Sequence, residues 1–272
     1  MPTLNYSLLV SDLDGTLLNN NQISGMNQKS IEQFQALGGL FTIASGRNYH
    51  ESKRIIQQLN IRIPVILCNG AMLYDPKQNE MIPIKCLEYA LSIEIAQELD
   101  HMFSDVADIF IFTIDKIYAT KMNPFTIQAT GFQPHFVSSF KEVPKKQEIM
   151  KVAAISKPDQ IKQIAEKLST MNWPVDFIQT GETFFEIVPQ GVSKGKAVAR
   201  LLNELQIASE QAAAIGDHCN DLSMIEQVGL FAAVANAHPS VLEQANVVVQ
   251  ANVEDGVSDF IHQYLIHKPH AE

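Results

Sequence analysis

The feature that most constrains this chain is an alternation of short apolar runs with helical segments, present near its beginning and again near its end. Residues 8–10, 40–44 and 64–68 are apolar runs, and segments of helical periodicity lie between them. Strands buried on both faces are apolar along their length. Strand–helix alternation of this kind predicts a parallel sheet with crossover helices. The alternation resumes at residues 193–265, where one helix is predicted near residues 221–228. Both ends of the chain therefore predict one α/β sheet.

The middle of the chain has a different pattern. It carries the aromatic and β-branched run 109–114, helical segments near 88–103 and 159–171, and prolines that interrupt the loops. A chain of 272 residues suits one large domain or two smaller ones. We therefore predict a Rossmann-like parallel-sheet core built from residues 1–83 and 188–272, with a smaller α/β domain inserted at residues 84–187.

Composition narrows the class of protein. The chain has 20 Lys and Arg against 30 Asp and Glu, a net charge of −10, and no basic run. We therefore expect no nucleic-acid partner, although local cations or a bound metal still permit a small anionic substrate. The chain has three cysteines without CxxC spacing, and it shows no signal-peptide pattern and no long apolar run. These features predict a cytoplasmic protein that does not bind membranes. The sequence has no coiled-coil repeat that would indicate an oligomeric state.

Acidic residues follow two of the predicted strands. Asp12 and Asp14 come after residues 8–10, and Asp217 and Asp221 come after residues 212–215. Ligands bind at the carboxyl ends of parallel strands, and two carboxylates there can divide nucleophilic and proton-transfer roles. Four close carboxylates repel each other unless a divalent cation joins them, and oxygen ligands favour Mg²⁺. The alternatives are solvated turns, a fragment of a calcium loop, or a turn that caps the next helix.

Two further segments suit a phosphate group. Ser45-Gly46-Arg47 follows the second strand, where a hydroxyl and free N–H groups can hold a phosphate oxygen. Ser45 could instead cap the next helix, and Arg47 could face substrate or a surface carboxylate. Lys194 lies in the first turn of a predicted helix, where the helix dipole disfavours a cation, so a neighbouring anion would stabilise it. The alternative for Lys194 is an ordinary exposed lysine.

Taken in their order along the chain, the four sites resemble the motifs of the haloacid dehalogenase superfamily, and most of all its Cof-type sugar-phosphatase group. The resemblance extends over nearly the whole chain, and the ordered set is far more specific than any single motif. The segments that carry it are residues 12–18, Ser45-Gly46-Arg47, Lys194-Gly195 and residues 216–221, with Asn69-Gly70-Ala71, Asn236-Ala237 and Glu254-Asp255-Gly256 in support.

The resemblance implies a role for each site residue. Asp12 would be the nucleophile that forms an aspartyl-phosphate, and Asp14 would carry the proton. Mg²⁺ would be held by the Asp12 carboxylate, the Asp14 backbone carbonyl and Asp217, with Asp221 behind them. The phosphoryl oxygens would be bound by the side chains of Ser45, Lys194 and Asn220 and by the backbone N–H groups of Leu13 and Gly46.

These roles imply a Mg²⁺-dependent phosphatase for small phosphorylated metabolites, with sugar phosphates favoured. A phosphomutase or a non-catalytic phosphometabolite sensor is the alternative, whereas a phospho-accepting receiver domain lacks an insertion of this size. The inserted domain would be a cap that contacts substrate. Its aromatic residues are candidates for that contact, although packing in its own core is expected for most of them: Phe110, Phe112, Tyr118, Phe132, Phe184 and Phe185.

Overall fold

The computed structural model of the chain describes residues 3–267 and separates into two compact units. The core unit runs up to Ile82 and resumes at Ser193, and the inserted unit is Pro83–Val192. The boundaries expected from the sequence were residues 84 and 187.

Strands and helices follow one another along both units. The strands are β1 Thr3–Leu4, β2 Leu8–Ser11, β3 Leu18–Asn19, β4 Gln22–Ile23, β5 Leu40–Ile43, β6 Val65–Leu67, β7 Met72–Asp75, β8 Glu80–Pro83, β9 Asp108–Thr113, β10 Ile117–Ala119, β11 His135–Phe136, β12 Ile149–Ile155, β13 Val175–Gln179, β14 Phe184–Pro189, β15 Ala212–Gly216, β16 Leu230–Val234, β17 Val247–Val249 and β18 Ile266–His267. The α-helices are α1 Gly25–Ala36, α2 Tyr49–Gln58, α3 Tyr89–Met102, α4 Pro124–Thr130, α5 Pro158–Leu168, α6 Lys194–Leu205, α7 Leu222–Ile225, α8 Pro239–Leu242 and α9 Gly256–Phe260.

The core unit is built on a parallel sheet of five strands in the order β17-β16-β15-β2-β5. Every residue of β2 and of β15 is buried, as their apolar sequences predict for strands covered on both faces. The predicted parallel-sheet core is therefore confirmed.

The register of the sheet places the ends of its middle strands side by side. Ser11 pairs with Ile215 on one side and with Ile43 on the other. The chain continues this pairing beyond the strands, since the N–H of Asp12 donates to the carbonyl of Ile215 at 2.9 Å. The N–H of Ala44 donates to the carbonyl of Ser11 at 2.9 Å. Segments that are distant in sequence thus leave the sheet at one edge.

Several local elements differ from those expected. The strand predicted at residues 64–68 is β6, which touches the five-stranded sheet through one parallel bridge, between Ala44 and Ile66. Its main partner is β7, to which it is antiparallel, so it belongs to a separate sheet of β6, β7 and β8. The helix predicted at residues 221–228 is only α7, preceded by a 3-10 turn, and α9 continues as a π-helix at Ile261–Leu265.

The inserted unit contains a six-stranded sheet in the order β11-β10-β9-β12-β14-β13. Its neighbours are antiparallel except for β10 and β11. Successive side chains of a strand point to opposite faces. In β9, Ile109 and Ile111 pack with residues of α3 and α5, whereas Phe110 and Phe112 lie in a second cluster on the other face. The predicted smaller α/β unit is thus confirmed as a fold.

No helix in the described part of the chain combines the length and the apolar character needed to cross a bilayer.

Candidate active site

Three acidic side chains meet at the carboxyl edge of the core sheet. Asp12 follows β2, Asp217 follows β15, and Asp221 ends the 3-10 turn Cys219–Asp221. Each offers a carboxylate oxygen within 4.8 Å of the other two. Asp12 is 5% exposed and Asp221 is fully buried. The structure therefore brings together three of the four predicted acidic side chains.

Lys194 lies among these acids. Its Nζ donates to Oδ1 of Asp12 at 2.5 Å and to Oδ1 of Asp221 at 2.6 Å. The side chain is 1% exposed, so the alternative of an ordinary surface lysine is wrong. Burial by itself would lower the pKa of Lys194, but the two carboxylates outweigh it and raise the pKa above the usual value. Lys194 is therefore a permanent cation at neutral pH.

One lysine does not balance the negative charge of the site. Burial raises the pKa of Asp12 well above its usual value, and the neighbouring carboxylates raise it further, whereas Lys194 lowers it. Burial and the charge of Asp221 raise the pKa of Asp217 to about 6. Three carboxylates lie together here and one lysine is bonded to them, so the ionised site would hold more negative than positive charge. A set of hard oxygen ligands with surplus negative charge suits a divalent cation such as Mg²⁺.

Asp221 also shapes the loop that carries Asp217. Its Oδ2 accepts the backbone N–H groups of Asp217 at 2.9 Å and His218 at 3.0 Å, while Oδ1 is bound by Lys194. Gly216 is required beside it, because a Cβ at that position would collide with the Asp221 carboxyl group. Asp221 therefore supports the acidic site from behind as well as adding charge to it.

The side chain of Asp14 does not join the other acids. It is 58% exposed and accepts hydrogen bonds from Arg47, at 2.8 Å from Nε and 2.5 Å from Nη2. Arg47 also donates to Asn21. The sequence left two contacts open for the Arg47 side chain, with substrate or with a surface carboxylate, and the structure shows the contact with a carboxylate. The use of the Asp14 backbone carbonyl as a metal ligand stays a prediction.

The remaining phosphate-binding candidates lie around the second strand end. Ser45 is buried, and its Oγ accepts the N–H of Arg47 at 3.2 Å. The alternative that Ser45 caps the next helix is wrong, since Asn48 is the N-cap of α2. Gly46 lies against the side chain of Asn69, which accepts a 3.0 Å hydrogen bond from Nδ2 of Asn220. Leu13, whose contribution would be its backbone N–H, is buried.

Two residues of the site were not singled out by the sequence. Thr16 donates from Oγ1 to Oδ1 of Asp217 at 2.8 Å and so links the acidic segment that follows β2 to the one that follows β15. Asn69 contacts Asn220 and lies beside Gly46. Both belong to segments that carried the family resemblance. The available signal was therefore their place in those segments, since Thr16 lies several residues beyond β2 and Asn69 follows β6, which belongs to a different sheet.

The aromatic residues of the inserted unit pack mainly with each other. Phe132 makes edge-to-face contacts with Phe110, Phe112 and Phe184. Tyr118 and Phe185 belong to the cluster on the opposite face of the sheet. Core packing, the interpretation favoured for most of these residues, accounts for the contacts within this unit.

Comparison with known proteins identifies the family. A family model described as haloacid dehalogenase-like hydrolase matches residues 9–261. The chain belongs to this family. The resemblance drawn from the ordered motifs, including its Cof-type character, is therefore confirmed.

Several relatives are named as phosphatases. A 5-amino-6-(5-phospho-D-ribitylamino)uracil phosphatase of Bacillus subtilis, YwtE, is 30% identical, and the match covers 93% of this chain and 96% of the relative. The HMP-PP phosphatase of Yersinia pseudotuberculosis is 25% identical, with 96% of each chain covered. The solved structure of a HAD subclass IIB sugar phosphatase has the same fold, with a TM-score of 0.79 and 20% identity over 94% of this chain and 98% of that one. The chain is accordingly a phosphohydrolase of this family.

Proposed function

We propose that this protein is a Mg²⁺-dependent phosphatase that hydrolyses small phosphorylated metabolites, with sugar phosphates favoured, through an aspartyl-phosphate on Asp12. The observation that carries the proposal is the buried contact of Lys194 with Asp12 and Asp221 inside a cluster of three carboxylates. The proposed nucleophile Asp12, a cation and oxygen ligands suited to a metal therefore lie within one small site, which supports the proposal. The phosphorylated ribityl compound and the sugar phosphate named for two of the relatives support this substrate class.

The residues of the site fit a magnesium ion. The Asp12 carboxylate, the Asp14 backbone carbonyl and the Asp217 carboxylate would hold it. Asp221 would fix the loop that carries Asp217, and Thr16 would fix the Asp217 carboxylate itself. All of these ligands are oxygens, as Mg²⁺ prefers. When bound, Mg²⁺ would offset the repulsion between the Asp12 carboxylate and the phosphate dianion and would stabilise charge on the transferring group.

Asp12 and Asp14 divide the covalent and proton-transfer work. A carboxylate oxygen of Asp12 attacks phosphorus, the bond from phosphorus to the ester oxygen breaks, and Asp14 donates a proton to that leaving oxygen. Asp14 then accepts a proton from water as the water attacks the aspartyl-phosphate, which releases inorganic phosphate and regenerates Asp12. Phosphoryl transfer of this type depends mainly on positioning and electrostatic stabilisation.

The phosphate-binding groups supply that positioning. We assign this role to the side chains of Ser45, Lys194 and Asn220 and to the N–H groups of Leu13 and Gly46. Charged and N–H donors that are fixed in a buried site stabilise the transferring group without having to reorganise during the reaction. The inserted unit is assigned the role of the family's cap, and a cytoplasmic location stays a prediction.

The test is a phosphate-release screen across metabolite esters with Mg²⁺. Release should stop in EDTA and should fall by about 10⁴-fold or more in Asp12→Asn, because the nucleophile is lost. Asp105→Asn, at an exposed position of the inserted unit, is the matched control and should react as the wild type does. Wild-type activity in Asp12→Asn would refute the nucleophile. An isomeric ester in place of inorganic phosphate would identify a phosphomutase, and binding without turnover would identify a sensor.

A further inference from the structure

The turn that follows β6 has an unusual backbone. Cys68, Asn69 and Gly70 have φ angles of 50°, 56° and 96° in succession, and all three residues are buried. L-residues other than asparagine and aspartate rarely adopt this left-handed region. Strained backbone of this kind persists only where its surroundings hold it, and it is concentrated at functional sites. The contacts of this turn therefore indicate what it supports.

The turn is fastened to the segment that carries Ser45. The N–H of Asn69 donates to the carbonyl of Ser45 at 3.0 Å, and the N–H of Cys68 donates to the carbonyl of Arg47 at 2.9 Å. The side-chain amide of Asn69 also lies close to Gly46, since a Cβ added to Gly46 would be 3.2 Å from Nδ2. The backbone around Ser45 and Gly46 is thus held by this turn.

The same turn reaches the two other phosphate-binding segments. A Cβ on Gly70 would collide with the carbonyl of Ser193, the residue before Lys194. On the remaining side, Asn220 donates from Nδ2 to Oδ1 of Asn69 at 3.0 Å. Three segments that are distant in sequence therefore converge on one buried turn.

The bond to Asn69 is what holds the side chain of Asn220. Oδ1 of Asn220 is buried and has no hydrogen-bond partner within residues 3–267, and Nδ2 bonds to Asn69. An amide nitrogen carries two protons. The bond to Asn69 uses one of them and leaves the other for a phosphoryl oxygen.

We propose that Asn69 is a positioning residue of the phosphate site, which fixes the amide of Asn220 so that its second N–H meets a phosphoryl oxygen. This inference rests on the proposed function. Asparagine is suited to the position because it tolerates a positive φ, offers an oxygen acceptor and is uncharged. Aspartate would add a negative charge beside a phosphate dianion, and glycine would offer no acceptor.

The experiment is a double-mutant cycle of Asn69→Gly and Asn220→Ala. Glycine keeps the left-handed backbone and removes the side chain. The readout is the Kd of inorganic phosphate in saturating Mg²⁺, measured by isothermal titration calorimetry, which requires no turnover. We expect each single variant to weaken binding by about tenfold, the scale of losing one hydrogen bond to a charged group. In the Asn220→Ala background, Asn69→Gly should weaken binding by less than about twofold, because coupled residues are not additive.

The matched control is Asn27→Ala. Asn27 is also a buried asparagine of the core unit, and its Oδ1 accepts the N–H of Ser258 at 2.8 Å. This variant should lose stability and keep the wild-type Kd for phosphate. If Asn69→Gly fails to fold, Asn69→Ala goes through the same cycle, since the alanine side chain offers no acceptor to Asn220.

The outcomes separate this inference from the proposed function. Additive effects, wild-type affinity in the Asn69 variant, or no phosphate binding by the wild type would overturn the positioning role. If the cycle shows coupling but no ester is hydrolysed, the positioning role stands and the phosphatase proposal fails. If esters are hydrolysed in an Asp12-dependent way and the cycle is additive, only the positioning role fails.

Discussion

Replacing Lys194 with methionine tests the electrostatics of the site most directly. Methionine has nearly the length of lysine and no charge, so Lys194→Met removes the cation with little change in packing. In the wild type, Nζ of Lys194 is bonded to two buried carboxylates, at 2.5 Å from Asp12 and 2.6 Å from Asp221. The variant leaves both carboxylates buried without their counter-charge.

The expected loss follows from those two contacts. A hydrogen bond to a charged group contributes about 1.5–3 kcal/mol, so two contribute roughly 3–6 kcal/mol. Removing one partner of a buried ion pair costs about 3–5 kcal/mol. We therefore expect the free energy of unfolding of metal-free Lys194→Met to fall by about 3–5 kcal/mol at pH 7.5. The raised pKa of Lys194 means that its contribution is complete at this pH and is lost only at strongly alkaline pH.

The loss should shrink in acid. Lys194 lowers the pKa of Asp12 and of Asp217, so both pKa values rise further in the variant. The native variant then binds more protons than its unfolded chain between pH about 4 and the raised pKa values, so its stability falls as pH rises through that window. Moving from pH 7.5 to pH 5 should restore part of the lost free energy.

The assay is urea unfolding followed by far-UV circular dichroism, in EDTA, at both pH values. Lys29→Met, at an exposed position of α1, is the control and should change the free energy of unfolding by less than about 0.5 kcal/mol. A loss below about 1 kcal/mol for Lys194→Met, or the same loss at pH 7.5 and pH 5, would refute the reasoning. With Mg²⁺ and substrate, kcat should fall by about 10²–10³-fold.

Three further predictions concern the metal and the proton carrier. Because the pKa of Asp217 is raised to about 6, protons compete with the metal below that pH. In a thermal-shift assay, Mg²⁺ should therefore raise Tm more at pH 7.5 than at pH 5.5, and equal shifts would contradict a metal site at this carboxylate. Gly15→Ala should weaken Mg²⁺ binding, measured by calorimetry, at least about tenfold, because Gly15 has a φ of 82° and an added Cβ would collide with Asp217. The control Gly25→Ala should bind Mg²⁺ normally, since its added Cβ meets nothing within 4 Å. Arg47→Ala should lower kcat about tenfold in the phosphate-release assay, since Asp14 loses both hydrogen bonds that hold it; an unchanged kcat would exclude that role.

The sequence predicted the parallel core because its signals are local and strong. Residues 8–10 and 212–215 are uninterrupted apolar runs, and the structure buries β2 and β15 completely. Glycine and acidic residues end these runs, so the edge at which the site would form was also readable. A strand that is covered on both faces is apolar at every position, so a few consecutive residues are enough to indicate it.

The sequence did not predict the sheet of β6, β7 and β8. Residues 72–83 mix apolar residues with proline, lysine and asparagine, without clear alternation, so their pairing depends on β6 and not on their own pattern. Helix α7 also differs from the prediction, since it covers Leu222–Ile225 and not residues 221–228. Its preceding turn is held by Asp221, whose carboxyl group accepts the N–H groups of Asp217 and His218.

By itself, the sequence determined the kinds of chemistry present: carboxylates and a serine just after buried strands, a lysine at the start of a helix, and asparagines in the segments that follow strands. The tertiary structure decided which of them touch. It buried Lys194 between Asp12 and Asp221, turned Asp14 toward Arg47, and placed Asn69 against Asn220. The reason is that strand order, with β2 between β15 and β5, brings together residues from opposite ends of the chain, and no local pattern encodes which strands become neighbours.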